Sequence, residues 1–278
     1  MVSSSFRSGL RKLLSKTSRR LFQLVPGPFT DGRLGRTIPV GCNGKEIFRV
    51  LDFGPLTRSR AQTFATKEPD TLEWIRGFGA GSRLIDVGAN LGIYTLFAAV
   101  SGCEVLAIEP DAQNFALLQA NLRLNSARIS GSVRSYPFAL HREWSISELH
   151  VSSAEWGSAM NAFGIALDYK GQSFDPLFRQ GAIGISLDEL LESLGFVATH
   201  MKIDVDGNEG EVLAGARRTL RSPKLQSLLI ELDERRLDYS SCISEISLAG
   251  FEIIRKTPST LNWSDEAQTF NHIFARPK

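Results

Sequence analysis

The chain has 278 residues, of which 42% are hydrophobic and 22% are charged, and it carries a formal net charge of +2. This length and composition suit one large α/β domain with an extension, and would crowd two full domains. The apolar runs are shorter than the roughly 18 residues that span a bilayer, so no transmembrane helix is expected. Cys42, Cys103 and Cys242 lie far apart and form no Cys-x-x-Cys pair, which argues against a disulfide framework or thiolate zinc site and favours a reducing, cytoplasmic location.

The positive charge is concentrated at the amino terminus. Residues 1–30 contain six Lys or Arg residues and no acid, so the rest of the chain is net acidic. Basicity confined to a tail is a poor footprint for nucleic acid, and no such partner is expected. Apolar residues recur there at helical spacing, at Phe6, Leu10, Leu13, Leu14 and Leu21. This pattern is compatible with peripheral contact with an anionic membrane, and equally with a packed helix, a frayed terminus or a mitochondrial presequence.

Domain organisation follows from the Pro- and Gly-rich stretch between Pro26 and Gly35, which is typical of a linker. We therefore predict a basic extension and linker over residues 1–35 and a single domain over residues 36–278. That domain begins with a predicted strand at 46–51 and a predicted helix at 69–78.

Strands and helices then alternate, which predicts an α/β fold with a doubly wound, mostly parallel sheet. The first half comprises strand 83–88, helix 91–101, strand 104–109, helix 111–125 and strand 132–139. After Ala139 the periodicity breaks for about sixty residues, apart from a strand at 146–151, and long insertions of this kind are usually lids or added hairpins. The second half comprises helix 187–194, strand 200–205, helix 209–220, strand 225–232, helix 243–248 and strands 251–255 and 270–276.

The segment Leu84 to Thr95 carries the strongest chemical signal. An apolar strand leads into a glycine-bearing turn and an apolar helix, and the next strand ends seventeen residues after Gly92 at Glu109. In doubly wound sheets, ligands bind beyond the carboxyl ends of the strands, and an acidic residue there holds a ribose. The pattern therefore predicts a nucleotide cofactor.

The charge of this turn indicates which cofactor it is. A pyrophosphate-binding turn has the form Gly-x-Gly-x-x-Gly and keeps carboxylates away. Here Asp86 precedes Gly88 and Gly92. A carboxylate in this position repels a diphosphate but attracts the ammonium and sulfonium groups of S-adenosylmethionine, which is the cofactor that we predict.

A second polar cluster lies between His200 and Gly210. Strand alternation places His200, Lys202, Asp204 and Asp206 on one face, and a polar face on a central strand is costly unless its charges are paired or border a site. We predict Glu231, near the end of the neighbouring strand, as the partner of Lys202. Asp204 and Asp206, at the carboxyl edge, are the stronger functional candidates.

Together these motifs resemble the FkbM family of S-adenosylmethionine-dependent methyltransferases. The resemblance covers roughly residues 67 to 276. It is carried by Ile85-Asp86-Val87-Gly88-Ala89-Asn90-Leu91-Gly92, by Glu109-Pro110 with Asn114, Asn121 and Asn125, by Leu187-Asp188-Glu189-Leu190, and by Lys202-Ile203-Asp204-Val205-Asp206-Gly207-Asn208-Glu209.

The resemblance implies a Rossmann-like class I methyltransferase sheet with an antiparallel last strand, and methyl transfer to a hydroxyl oxygen. It also implies a cofactor site in which Asp86, Gly88, Asn90 and Gly92 line the methionine end and Glu109 binds the ribose. The family usually has Glu where this chain has Asp206, which moves that charge.

Methylation of an alcohol requires a group that takes the hydroxyl proton. Asp204 is the first candidate, followed by Asp206 and His200, with His141 as a further alternative. Asp204 and Asp206 would also suit a divalent metal, but the sequence contains no complete ligand set and we predict no metal.

The leading hypothesis is an O-methyltransferase for a sugar, glycolipid or polyketide-like acceptor. Two alternatives are a non-catalytic binding module with the same fold, and a nicotinamide-dependent oxidoreductase, which would need the absent Gly-x-Gly pair.

Overall fold

The computed structural model describes residues 35–259 and 268–277. The predicted amphipathic segment at residues 1–30 lies outside the described residues, and the domain boundary at residue 35 stays a prediction. Within the described part of the chain, no helix is long and apolar enough to cross a membrane.

The helices and strands follow one another in two series. The first contains β1 (Thr37–Cys42), β2 (Lys45–Leu51), α1 (Pro55–Thr63), α2 (Pro69–Arg76), β3 (Arg83–Val87), α3 (Ile93–Val100), β4 (Glu104–Ile108), α4 (Ala112–Leu124), β5 (Ser132–Tyr136), β6 (Ala139–Leu140), β7 (Ser145–Val151) and β8 (Ala162–Phe163). The second contains β9 (Phe178–Ile185), α5 (Leu187–Leu194), β10 (His200–Ile203), α6 (Glu209–Ala214), α7 (Arg217–Arg221), β11 (Ser227–Asp233), α8 (Tyr239–Leu248), β12 (Glu252–Pro258) and β13 (Thr269–Ala275).

The central sheet has the strand order β12-β13-β11-β10-β3-β4-β5 among the described residues. The strands from β11 through β5 are parallel to their neighbours, whereas β13 runs antiparallel to both β11 and β12. This confirms the predicted doubly wound, mostly parallel sheet with an antiparallel last strand. The chain winds outward from β3 to β5 and then returns to β10, so a topological switch point lies between β3 and β10.

Apolar side chains cover both faces of this sheet. Because strand side chains alternate, Leu84 of β3 packs with Leu96 of α3 on one face, and Ile85 packs with Val212 of α6 on the other. Each is fully buried, which stabilises the fold by about 1.5–3 kcal/mol per side chain. The continuous apolar runs of β3 and β4 therefore produce strands buried on both sides.

Asn121 of α4 and Asn125, which directly follows α4, attach strand β2 to this helix. Asn121 Oδ1 accepts from the Leu51 N–H at 2.9 Å, and Asn121 Nδ2 donates to the Leu91 carbonyl at 2.9 Å. Asn125 Oδ1 accepts from the Arg49 N–H at 2.9 Å, and its Nδ2 donates to the Arg49 carbonyl at 2.6 Å. These asparagines, part of the family resemblance, are thus structural.

The insertion after Ala139 forms a second sheet of order β6-β9-β7-β8. The predicted strand at 146–151 is confirmed as β7, which pairs antiparallel with β9 along its whole length. The predicted strand 132–139 is interrupted after Tyr136, and the predicted helix 209–220 divides into α6 and α7 at Gly215. At Gly215 a Cβ would lie 2.2 Å from the His141 carbonyl oxygen, so the helix break fits against the insertion.

Candidate active site

The glycine turn brings three strands together at the carboxyl edge of the sheet. Gly88 and Gly92 have φ values of +78° and +88°, which favour glycine, and Asn90 has a φ of +50°. The Gly88 N–H donates to the Ile108 carbonyl at 2.9 Å. A Cβ on Gly88 would lie 1.8 Å from the Asp204 carbonyl oxygen, so the turn packs directly against the end of β10.

Glu109 braces this turn from the end of β4. Its Oε2 accepts from the Asn90 N–H at 2.7 Å and its Oε1 from the Asp111 N–H at 2.9 Å. Burial raises the pKa of Glu109 to about 8 despite these two hydrogen bonds. Each carboxylate oxygen has a second lone pair, so two ribose hydroxyls remain compatible with this side chain.

Asp86 lies beneath the turn and not on its surface. Its side chain is only 1% exposed, and its Oδ2 accepts from the Thr95 hydroxyl at 2.6 Å. Its Oδ1 has no hydrogen-bond partner among the described residues. Burial raises the pKa of Asp86, against the charge of Lys202 on the neighbouring strand. Asp86 thus supplies charge under the site, whereas Gly88 and Asn90 line it.

A cleft opens where β3, β4, β10 and β11 reach the carboxyl edge of the sheet, and we call it the acidic cleft. One wall is apolar, with Phe138, Leu140, Leu149 and Phe163. The charged lining consists of four carboxylates and two cations: Glu109, Asp204, Asp206, Glu231, Arg60 and Lys67. When its carboxyl groups are ionised, this lining disfavours a diphosphate and favours a cationic ligand.

Asp204 forms an ion pair with the buried Lys202. Lys202 Nζ lies 2.8 Å from Asp204 Oδ2, and the Lys202 side chain is 2% exposed. Burial alone would raise the pKa of Asp204, but the charge of Lys202 outweighs it, aided by Lys67 and Arg60, and the pKa is lowered. The predicted pairing of Lys202 with Glu231 is therefore wrong. The partner of Lys202 is Asp204, two residues further along its own chain segment.

Asp206 joins the insertion to the end of β10. Its φ is +56°, and its Oδ2 accepts from the Met160 N–H at 2.6 Å. Burial and then the charge of Asp204 raise the pKa of Asp206. The nearby Glu209 accepts from the Gly207 N–H at 3.0 Å, and burial raises its pKa to about 7. Glu209 thus braces the turn that presents Asp206.

The loop before β8 is also hydrogen-bonded to the glycine turn. Asn114 Oδ1 accepts from the Gly157 N–H at 3.0 Å, and its Nδ2 donates to the Ser158 carbonyl at 3.0 Å. Asn90 Nδ2 donates to the same carbonyl at 2.7 Å. The insertion therefore forms one wall of the acidic cleft and is held there by α4.

His200 lies at the other end of β10 from Asp204, level with Leu84 at the start of β3. Its Nδ1 is 2.7 Å from the Ser227 hydroxyl, its ring stacks on Phe78 at 3.8 Å, and burial lowers its pKa to about 4. The structure therefore does not bring this candidate together with Asp204 and Asp206.

Residues from the first helices complete the acidic cleft, and sequence reasoning had not identified them. Arg60 of α1 donates from Nε to the Gly157 carbonyl at 2.7 Å. Lys67, before α2, has its Nζ 3.2 Å from Glu68 Oε1. Neither lies in a recognisable motif, so the sequence carried no signal for them. Glu231 had been identified, but only as a structural partner.

The sheet order and the acidic cleft at the switch point are those of a doubly wound, nucleotide-binding fold, the class to which class I methyltransferases belong. Residues 86–253, more than half of the chain, match the methyltransferase FkbM domain, and the chain belongs to this family. It is an S-adenosylmethionine-dependent methyltransferase. Within the described residues, no three His, Cys, Asp or Glu side chains are grouped to hold a metal.

Comparison with solved structures gives distant likenesses. A SAM-dependent methyltransferase from Agrobacterium tumefaciens is 13% identical, with a TM-score of 0.48 over 90% of this chain and 73% of that one. Magnesium protoporphyrin IX methyltransferase from Synechocystis PCC 6803, solved with bound SAM, is 11% identical, with a TM-score of 0.47 over 81% of this chain and 86% of that one. Comparison with curated proteins gives no match.

Proposed function

We propose that the protein transfers a methyl group to a hydroxyl oxygen of a sugar, glycolipid or polyketide-like acceptor. The observation that carries this proposal is the pair of carboxylates, Asp204 and Glu231, at the ends of adjacent strands beside the cofactor turn. An alcohol is a poor nucleophile until its proton has an acceptor, and carboxylates at hydrogen-bond distance provide one. Hydroxyl groups also suit the amide of Asn208, which lines the same cleft.

The residues around the cleft fit the cofactor in three places. Glu109 offers acceptors to the ribose, and the apolar wall suits the adenine. Arg60 and Lys67 line the space beside the glycine turn and can bind the methionine carboxylate, whereas Lys202, which lines the same space, is paired with Asp204. When bound, the cofactor supplies an electrophilic methyl group on a sulfonium. The protein holds the hydroxyl in line with that methyl, and such positioning accounts for up to roughly 7–11 kcal/mol of a barrier.

The acceptor class can be tested with methyl-labelled S-adenosylmethionine and a panel of methyl hexosides, glycolipids and polyketide-like alcohols. We expect label in at least one hydroxylated acceptor, with the new methyl group assigned to oxygen by NMR. Transfer to nitrogen or carbon acceptors alone would overturn the proposal. Tight cofactor binding without transfer to any acceptor would favour the non-catalytic binding module.

Replacing Glu109 with Gln is expected to weaken cofactor binding by about 1.5–3 kcal/mol, because a charged acceptor of two hydroxyls is lost. Ribose hydroxyls bind the ionised carboxylate, and the pKa of Glu109 is about 8. The affinity of the wild type for the cofactor should therefore fall about tenfold for each pH unit below about 8, because the Glu109 carboxyl group must lose its proton before the ribose binds. Calorimetric titration from pH 6 to 9 measures both effects.

The matched control for this variant is Glu104→Gln, at the start of the same strand. Glu104 pairs with Arg83 and Arg134 at the far edge of the sheet, so its removal should leave cofactor affinity unchanged. Equal affinity at pH 6 and pH 9 in the wild type would show that Glu109 does not titrate in this way.

We also propose that the enzyme works in the cytoplasm and that residues 1–30 bring it reversibly to anionic membranes. The cations of this segment precede a net acidic domain, so any such attraction must come from the segment. Each Lys or Arg contributes about 1 kcal/mol near such a surface and is screened by salt. Full-length protein should pellet with anionic vesicles at low salt only, and protein lacking residues 1–30 should not. Equal pelleting of both would contradict membrane contact through this segment.

A further inference from the structure

Glu231 occupies a distinct place in the acidic cleft. Ile230 of β11 pairs with Ile203 of β10, so Glu231 lies level with Asp204, and parallel neighbours leave the sheet on the same face. The glycine turn packs against Asp204 from the other side, at Gly88. Asp204 therefore lies between the cofactor turn and Glu231, and Glu231 lines the acidic cleft one strand further from that turn.

The other carboxylates of the cleft already have partners. Glu109 and Asp206 accept from backbone N–H groups, and Asp204 is paired with Lys202. The carboxyl group of Glu231 has no hydrogen-bond or ion-pair partner among the described residues. A half-buried carboxyl group without a protein partner, facing a ligand cleft, is a group whose partner is expected to be the ligand.

The surroundings of Glu231 are dominated by negative charge. Asp204 and Asp206 face it from the end of β10, and Glu68 and Lys67 from the segment between α1 and α2. On β13, its paired residue is the uncharged Asn271. Burial, followed by the three acids, raises the pKa of Glu231 well above its ordinary value, and Lys67 only partly opposes this. Proton-accepting groups are most effective when their pKa lies near the working pH, whereas Lys202 makes Asp204 a weak base.

Building on the proposed O-methylation, we propose that Glu231 is the catalytic base and that Asp204 is a positioning residue. A Glu231 oxygen takes the hydroxyl proton while the hydroxyl oxygen forms the new C–O bond. The carbon–sulfur bond breaks with its electron pair going to sulfur, which leaves a neutral thioether and a protonated Glu231. Asp204, held ionised by Lys202, orients the hydroxyl and keeps Glu231 basic.

The first test needs no acceptor. The carboxyl carbon of Glu231 can be followed by NMR in uniformly ¹³C-glutamate-labelled protein, with Glu231→Gln to assign its signal. We expect it to titrate well above the ordinary range of glutamate, and to move to lower pH in Asp204→Asn, which removes a negative neighbour. A Glu231 that titrates at its ordinary pH, or that does not respond to Asp204→Asn, would overturn the proposal.

The second test is the pH dependence of methyl transfer to the best acceptor of the panel. At saturating cofactor, Glu231→Gln should lower kcat about 100-fold and abolish the acidic limb of the kcat profile, with the cofactor Kd within about threefold of wild type. Glu231→Asp should keep the acidic limb of the profile, with a lower kcat than the wild type. Glu234→Gln, three residues along and bonded to Lys256, is the matched control and should leave the profile unchanged.

Two failures are distinguishable. If the wild type methylates an alcohol and Glu231→Gln retains both rate and limb, the assignment of Glu231 is wrong while the proposed O-methylation stands. If the wild type methylates only nitrogen or carbon, the proposed function fails, and the assignment of Glu231 as a base for hydroxyl groups fails with it.

Discussion

Asp204→Asn is expected to lower turnover at least about 100-fold while changing cofactor affinity far less. The substitution keeps the size of the side chain and removes the charge that orients the hydroxyl and keeps Glu231 basic, and misplacement of a reacting group can cost about 10²-fold. It also exposes the site to the unpaired charge of Lys202, which lies 2.8 Å away in the wild type. Steady-state rates with the best acceptor, and calorimetric titration with the cofactor, measure the two quantities.

Stability must be separated from catalysis in this variant. Lys202 is buried, and breaking a buried ion pair typically costs about 3–5 kcal/mol, although Asp86 on the adjacent strand retains some attraction. The double variant Lys202→Met with Asp204→Asn should recover part of the free energy of unfolding without recovering turnover. Recovery of turnover in the double variant, or full activity in Asp204→Asn alone, would show that Asp204 has no role in the chemistry.

The central sheet could be predicted because its signals are local. Each core strand is a short run of apolar residues. In each helix that follows, apolar residues recur at helical spacing, and turn residues separate the strand from the helix. The Gly88 turn was also predictable. Glycine between an apolar strand and an apolar helix permits the left-handed backbone conformation of a tight turn. A doubly wound, mostly parallel sheet was predicted from the alternation, its antiparallel last strand was implied by the family resemblance, and the structure confirms both.

The second sheet was only partly predictable. β9 contains two glycines and an exposed charge, so it lacks a clear two-residue period, and its pairing with β7 spans a long loop. Helix α1 was missed because its apolar residues are few and do not form a stripe along one face. Both elements are specified by tertiary packing more than by their own sequence.

The site was predictable where it coincides with strand ends. Asp204, Asp206 and Glu109 each follow an apolar strand, and the structure places all three in the acidic cleft. Strand alternation alone could not exclude His200 as a catalytic candidate. Alternation predicts the face of the sheet on which a side chain lies, but not whether that residue is near the end of the strand where ligands bind. Arg60 reaches the cleft from an element outside the core motifs, so only the packed structure reveals it.

Gly88→Ala is expected to abolish measurable cofactor binding and to destabilise the fold by about 2–5 kcal/mol. A methyl group there would lie 1.8 Å from the Asp204 carbonyl oxygen, which is backbone and has no side-chain freedom to move away. The collision adds to the cost of a left-handed φ of +78° for alanine, about 1–2 kcal/mol. The ends of β3 and β10 must then separate, which displaces both Asn90 and Asp204.

Gly81 provides a matched control, because its φ is +76° and no atom lies within 4 Å of its hypothetical Cβ. Gly81→Ala therefore carries the conformational cost alone and should keep cofactor affinity unchanged. The difference in unfolding free energy between the two variants, measured by urea denaturation, isolates the contact between the turn and β10. Equal destabilisation by both substitutions, with cofactor binding intact in Gly88→Ala, would show that this contact does not hold the cofactor turn in place.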